Sequence, residues 1–224
     1  MSTKRIMNSI PMSHHLRGLY AITDPELLPE DKLVASVEQA LLGGASIIQY
    51  RDKQATEVEL IRRAESLASC CKSYQRPLII NDRIDICKRV NADGVHLGQE
   101  DNAIKSAREQ LGSTAIIGAT CHNSVSLAEQ ALADGASYIA FGRFFNSHSK
   151  QQAPPADLSI FREAESKIPL PKVAIGGINL DNGQSVLDQG ADMIAVIHAL
   201  FASSNFSTND IAKKAAAFQK LFIH

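Results

Sequence analysis

The chain has 224 residues, of which 45% are hydrophobic and 21% charged, with a formal net charge of −1. That length suits one large α/β domain, and the balanced charge excludes a global basic field of the kind nucleic acid attracts, so any anion site must be local. No run of about eighteen apolar residues is present, which argues against a membrane-spanning helix.

Residues 1–16 are polar, carry His14 and His15, and lack the apolar segment of a signal peptide. They are expected to form a flexible N-terminal tail ahead of a single domain, 17–224. From Gly18 a unit repeats: a short apolar strand, a polar turn, an amphipathic helix, then a small residue leading into the next strand. Gly18–Thr23 is the first strand. Asp31–Leu42 follows as a helix, with Leu33, Val34, Val37, Ala40 and Leu41 at helical spacing. Ser46–Tyr50 is the second strand, and the helix Glu57–Lys72 carries Leu60, Ile61, Ala64, Leu67 and Ala68 on one stripe. Pro77–Asn81 is the third strand, with a short helical piece at Asp85–Arg89. Gly94–Leu97 is the fourth, followed by a helix near Ile104–Leu111.

Ala115–Thr120 is the fifth strand, and the helix after Asn123 and Ser124 has an N-cap residue before it. Tyr138–Gly142 is the sixth. The stretch from Arg143 to Pro155 reads as the longest loop, and loops of that length in compact domains are usually functional. Lys172–Ile175 is the seventh strand, Asp181–Gln189 its helix, Met193–Ile197 the eighth strand, and Thr208–Phe222 the last helix. The junctions Gly44-Ala45, Ala92-Asp93-Gly94, Gly135-Ala136 and Gly190-Ala191-Asp192 place a helix-ending glycine before a new strand. Eight strands alternating with helices predict an α/β fold, a closed (β/α)8 barrel. A doubly wound open sheet would need no eighth strand and usually has a Gly-rich first turn, absent here.

In such a barrel the strand C-termini carry the chemistry. The second strand ends in Gln49-Tyr50-Arg51-Asp52-Lys53, where alternation puts Gln49, Arg51 and Lys53 on one face. Arg offers a planar fork and Lys a point charge, so the three suit a polyanion; a solvated strand end is the plainer alternative. Asp82 and Asp101 follow adjacent strands and suit Mg²⁺ beside a phosphate clamp, or cap the helices they precede. Gly176-Gly177, with the end of strand eight, suits a backbone phosphate cradle, or is a tight turn. His96 is expected as a hydrogen-bonded interior residue; His122 and His198 are better site candidates. Cys70, Cys71, Cys87 and Cys121 show no disulfide framework, as expected of reduced thiols in a cytoplasmic protein. No zinc spacing and no Ser/His/Asp set is present.

Together these motifs resemble the thiamine-phosphate synthase family. The likeness runs from Gly18 to Leu200 through GLYAITD, QYRDK, Asn81-Asp82, DGVHLGQED, Gly118–His122, Gly142–Lys150, VAIGGI and Gly190–Ile197. It implies a Mg²⁺-dependent TIM-barrel transferase that joins hydroxymethylpyrimidine diphosphate to hydroxyethylthiazole phosphate and releases pyrophosphate. It also implies a dissociative route through a pyrimidine cation. By the resemblance, Gln49, Tyr50, Arg51, Asp52 and Lys53 hold the pyrimidine diphosphate, with Asn81, Thr120 and Lys150. Arg51, Lys53 and Lys150 are the catalytic cations, Lys150 closing over the diphosphate. Asp82 and Asp101 bind Mg²⁺, and Ser147, His148, Ser149, Gly177, Ile197 and His198 receive the thiazole phosphate. The partners implied are small molecules, not nucleic acid or membrane; a homo-oligomer is compatible with the sequence.

This chain departs from the family at several positions. Thr120 stands where Ser is common, and Ser147 and Ser149 where Thr is common. Arg143 and Asn146 replace frequent prolines, and His198 a frequent serine. A related thiazole tautomerase does not need Arg51, Lys53, Asp82, Asp101 and Lys150, all present here. A non-catalytic phosphometabolite-binding barrel is separated from either enzyme by turnover.

Overall fold

Eight apolar runs of four to seven residues become strands in the computed structural model, which describes residues 16–98, 103–146, 155–202 and 208–223. The first half contains β1 (Gly18–Ile22), α1 (Glu30–Leu42), β2 (Ile47–Tyr50), α2 (Glu57–Ser73), β3 (Leu78–Asn81), α3 (Ile84–Val90), β4 (Gly94–Leu97) and α4 (Ala103–Leu111). The second half contains β5 (Ile116–His122), α5 (Val125–Ala133), β6 (Tyr138–Phe141), α6 (Ile160–Glu165) and β7 (Lys172–Ile175). It ends with α7 (Gly183–Leu187), β8 (Met193–Val196), α8 (His198–Phe201) and α9 (Thr208–Lys220). Every strand pairs in parallel with its sequence neighbour, and β8 closes on β1, giving the (β/α)8 TIM barrel.

Strand alternation divides the apolar residues between two layers. Leu19, Ile48, Leu78 and Ile194 face outward and are covered by helix residues such as Leu67, Phe161 and Phe218. Tyr20, Ile47, Ile79, Ile116, Tyr138, Val173 and Met193 face inward and fill the barrel. Each fully buried aliphatic side chain stabilises this arrangement by about 1.5–3 kcal/mol relative to exposure.

The N-terminal ends of the strands are stitched by short polar side chains. The Asp93 and Asp192 carboxylates accept the Leu78 and Lys172 N–H groups, both at 2.8 Å, and Ser137 Oγ accepts the Ile117 N–H at 3.0 Å. Each bond ties the residue before an even-numbered strand to the strand preceding it. Arg108 adds bonds to the carbonyls of Gly112, Ala115 and Gly135 at the same end. The closed end is thus fixed by structure, and the opposite end is left to the loops.

Four expectations are corrected here. At Ala92-Asp93-Gly94 it is Asn91, with φ 52°, that takes the left-handed cap of α3. Gly94 is required for a different reason: a Cβ there would lie 1.8 Å from the Ile116 carbonyl oxygen. α6 forms after the β6 loop although no helix is expected there, because Ile160, Phe161 and Ala164 bury one face in only six residues. His198 is not a strand-end residue but the first residue of α8. β5 also runs on to His122, with a register shift between Thr120 and His122.

Candidate active site

At the C-terminal end of the strands the barrel opens into a cavity of about 310 Å³. Of the residues picked out from sequence, Gln49, Arg51, Asn81 and Thr120 line one side, and Gly177, Ile197 and His198 line the other. Four strands and the start of α8 therefore bring together residues spread over 150 positions of chain.

Alternation along β2 decides which members of the QYRDK run reach the cavity. Gln49 is 2% exposed and points inward, and the Arg51 backbone N–H is held by the buried Thr23 hydroxyl at 3.0 Å. Tyr50 and Asp52 face the other way. Tyr50 packs in the helix-facing layer, where burial, ahead of the nearby Asp52 charge, pushes its phenol up to about 12. The Asp52 carboxylate reaches Arg63 of α2 at 2.8 Å and accepts the N–H groups of Gln54 and Ala55. Both are expected against the substrate; the Tyr50 side chain instead packs into the helix-facing core, and the Asp52 carboxylate braces the turn that carries Arg51 and Lys53.

Lys53 and Asp82 meet at the rim, with Nζ 3.6 Å from Oδ2. Asp82 has φ 61°, its N–H donates to the His96 carbonyl at 2.9 Å, and its carboxylate accepts from Asn81 Nδ2 at 2.7 Å. It does not cap α3, whose N-cap position is Arg83. The carboxylate is half-exposed and turned toward the clamp. A hard carboxylate is a ligand type that suits Mg²⁺, which keeps several waters. Among the described residues no group of three or more His, Cys, Asp or Glu could hold a metal by itself. Asp101, the second expected ligand, lies outside the described residues, as do Ser147, His148, Ser149, Lys150 and residues 1–15 of the expected tail.

Across the cavity, Gly176 and Gly177 have φ 104° and 67°. A Cβ on Gly176 would lie 2.3 Å from Arg143 Cβ, and one on Gly177 2.3 Å from the Asn146 carbonyl oxygen. The pair is both a turn and a close approach, letting the β6 loop lie against β7; the Phe145 N–H donates to the Gly176 carbonyl at 3.0 Å. Arg143 itself lines the cavity, as does His122.

Beneath the cavity runs a continuous chain of side-chain hydrogen bonds. Gln49 Nε2 donates to Tyr20 Oη at 2.7 Å, and Tyr20 Oη lies 2.7 Å from Tyr138 Oη. Tyr138 Oη is 2.9 Å from His96 Nδ1, and His96 Nε2 is 2.9 Å from Thr120 Oγ1. His96 is thus the hydrogen-bonded interior residue expected. Tyr20 and Tyr138 were not singled out from sequence, because aromatic residues in apolar runs read as core. Their polar tips at inward-facing positions were the available signal. Burial raises both phenols well above their ordinary range, so each is a neutral hydroxyl.

Comparison with known proteins places this geometry in context. Residues 19–200 match the family model described as thiamine monophosphate synthase. A thiamine-phosphate synthase from Alcanivorax borkumensis is 48% identical over 208 residues, covering 92% of this chain and 96% of that one. The solved thiamine phosphate pyrophosphorylase from Pyrococcus furiosus is 37% identical with a TM-score of 0.80, covering 91% of this chain and 94% of the other. A geranylgeranylglyceryl phosphate synthase from Thermoplasma acidophilum, 16% identical with a TM-score of 0.65 over 93% of this chain and 96% of its own, shares the fold alone.

Proposed function

The chain belongs to the thiamine-phosphate synthase family, and from that premise we infer how its cavity is used. The protein is a transferase of thiamine biosynthesis that condenses hydroxymethylpyrimidine diphosphate with hydroxyethylthiazole phosphate, giving thiamine phosphate and pyrophosphate. The observation that carries the residue assignment is the convergence of Gln49, Arg51, Asn81 and Thr120 on one side of a single cavity, facing Gly177, Ile197 and His198.

The chemistry asks for little proton movement. The exocyclic C–O bond breaks with its electron pair leaving on pyrophosphate, and the thiazole nitrogen lone pair forms the new C–N bond to the pyrimidine methylene carbon. No strong base is required, and stabilisation of the departing negative charge dominates. Arg51 and Lys53 supply that stabilisation at the end of β2, with Lys150 assigned to the same diphosphate by its motif position. Asp82, together with Asp101, would hold Mg²⁺, which when bound neutralises charge on the diphosphate. Gln49, Asn81 and Thr120 orient the pyrimidine. The Gly176-Gly177 turn and the start of α8 receive the thiazole phosphate, with Ser147, His148 and Ser149 assigned beside it.

The test is direct. Purified protein mixed with both substrates and Mg²⁺ is expected to release thiamine phosphate and pyrophosphate in equal amounts, followed by chromatography. Arg51→Ala is expected to lower kcat by about 10²-fold, as for removal of one preorganised charge-stabilising group. An undiminished rate in Arg51→Ala would overturn the clamp assignment, and absence of thiamine phosphate from wild type would overturn the activity.

A further inference from the structure

The hydrogen-bond chain below the cavity crosses the barrel from β2 through β1, β6 and β4 to β5, and both of its ends are cavity residues. Gln49, Tyr20 and Tyr138 are 2%, 1% and 0% exposed, so water cannot substitute for a missing partner. A buried hydroxyl carries one proton, and a neutral imidazole one proton on two nitrogens. With His96 neutral, these limits leave two self-consistent arrangements, in which every bond runs in the same direction. With Gln49 Nε2 donating, Tyr20 accepts and passes its own proton to Tyr138. Tyr138 then donates to His96 Nδ1, His96 Nε2–H donates to Thr120, and Thr120 gives its proton onward. In the reverse arrangement the Gln49 carbonyl accepts from Tyr20, His96 carries its proton on Nδ1, and Thr120 donates to Nε2. A mixed arrangement strands a buried donor or acceptor, which is costly.

We propose that Tyr20, Tyr138 and His96 are positioning residues that lock the hydrogen-bonding polarity of Gln49 and Thr120 to each other. Gln49 Nε2 faces Tyr20, which turns the Gln49 carbonyl oxygen away from the relay, and the first arrangement follows from that orientation, with Thr120 receiving rather than giving the last bond. The two ends therefore present opposite characters, an acceptor at Gln49 and a donor at Thr120. An aminopyrimidine offers the complement, an exocyclic N–H donor and ring-nitrogen acceptors. The fold makes room for the relay at one specific place: a Cβ on Gly118 would lie 2.0 Å from the Tyr138 ring. Tyr138 also stacks on His96 at 5.6 Å between centroids and meets Tyr20 edge-on at 5.9 Å, so ring packing holds the oxygens in line.

This inference rests on the assignment of Gln49 and Thr120 to the pyrimidine substrate. Tyr138→Phe removes the central hydroxyl and keeps the rings, so it interrupts the relay without emptying the core. In ¹⁵N spectra of the substrate-free protein, His96 is expected as a single Nε2–H tautomer in wild type and as a tautomer mixture in Tyr138→Phe. The KM for the pyrimidine diphosphate is expected to rise about tenfold, the size of one misdirected hydrogen bond, with the KM for the thiazole phosphate unchanged. Adding Tyr20→Phe to Tyr138→Phe is expected to raise the pyrimidine KM little further, because the relay is already broken. An unchanged His96 tautomer in Tyr138→Phe, or an equal rise in both KM values, would overturn the relay. Failure of the underlying assignment looks different: Gln49→Ala would leave the pyrimidine KM unchanged while His96 still responded to Tyr138→Phe.

Discussion

Arg63 Nη1 lies 2.8 Å from the Asp52 carboxylate, and its Nη2 lies 2.9 Å from Glu30 and 3.4 Å from Glu59, so one guanidinium joins α2, the β2 turn and α1. The other Asp52 oxygen accepts two backbone N–H groups from the same turn. The pair is shielded, with the Arg63 and Asp52 side chains 17% and 4% exposed. Its effect is to fix the backbone between Arg51 and Lys53. Arg63→Ala leaves the Asp52 charge buried without its partner and is expected to lower stability by about 2 kcal/mol. The KM for the diphosphate substrate should rise while that for the thiazole phosphate holds, and Arg63→Lys should recover only part of both losses because Lys lacks the fork. Thermal unfolding and steady-state kinetics on the two variants check this.

Gly177 is the second position where backbone geometry and function meet. Its φ of 67° disfavours any L side chain, and a methyl there would press on the Asn146 carbonyl oxygen. Gly177→Ala is expected to cost about 1–2 kcal/mol in strain and to push the β6 loop off β7. The kinetic consequence should fall on the thiazole phosphate, whose KM is expected to rise at least about tenfold. A variant with normal kinetics for both substrates would remove Gly177 from the phosphate site.

Much of this was legible in the sequence, for identifiable reasons. The eight strands announce themselves through apolar runs such as Leu78–Ile80 and Ile194–Val196, and the helices α1 and α2 through long apolar stripes. Gln49 and Arg51 were readable as cavity residues because an extended chain alternates. The same pleat divides a motif quoted as one string into two faces and turns the Tyr50 and Asp52 side chains away from the cavity. α6 and α8 span six and four residues, too few for a helical period to show. The Gln49–Thr120 relay was illegible because its five members come from five strands, and only the closed barrel brings their tips together.

Asp82 offers a test of the metal that family membership implies. Its carboxylate is positioned by a left-handed backbone, by Asn81 and by Lys53 rather than by a helix cap, so a charge there serves the cavity rim. Asp82→Asn keeps the shape and removes the charge. The Mg²⁺ concentration for half-maximal rate is expected to rise, and kcat to fall by about 10²-fold, with the unfolding temperature nearly unchanged. An unaltered Mg²⁺ titration and rate would leave Asp82 as a partner of Lys53 alone.

The buried thiols give the protein a defined alkaline limit. Burial pushes Cys71, Cys87 and Cys121 from an ordinary 9.0 up to about 12, and Cys70, which is less buried, also upward. Cys121 follows Thr120 directly but faces the helix layer, so it is core and not a nucleophile. The folded state binds these protons more tightly than the unfolded chain does. Their contribution is therefore fully present below pH 9 and declines as pH rises toward 12, by up to about 1.4 kcal/mol per pH unit for each thiol. Denaturant unfolding at about pH 8 and about pH 10 is expected to show a large loss of stability between the two. Cys87 Sγ donates to the Gly94 carbonyl at 3.3 Å, so Cys87→Ala should be less stable than wild type at the lower pH. It should also lose less on going to the higher pH, because one titrating group is gone. Iodoacetamide should label Cys70 first and the other three only in denaturant. Prompt alkylation of all four thiols in the folded protein, or the same pH slope in Cys87→Ala as in wild type, would contradict this account.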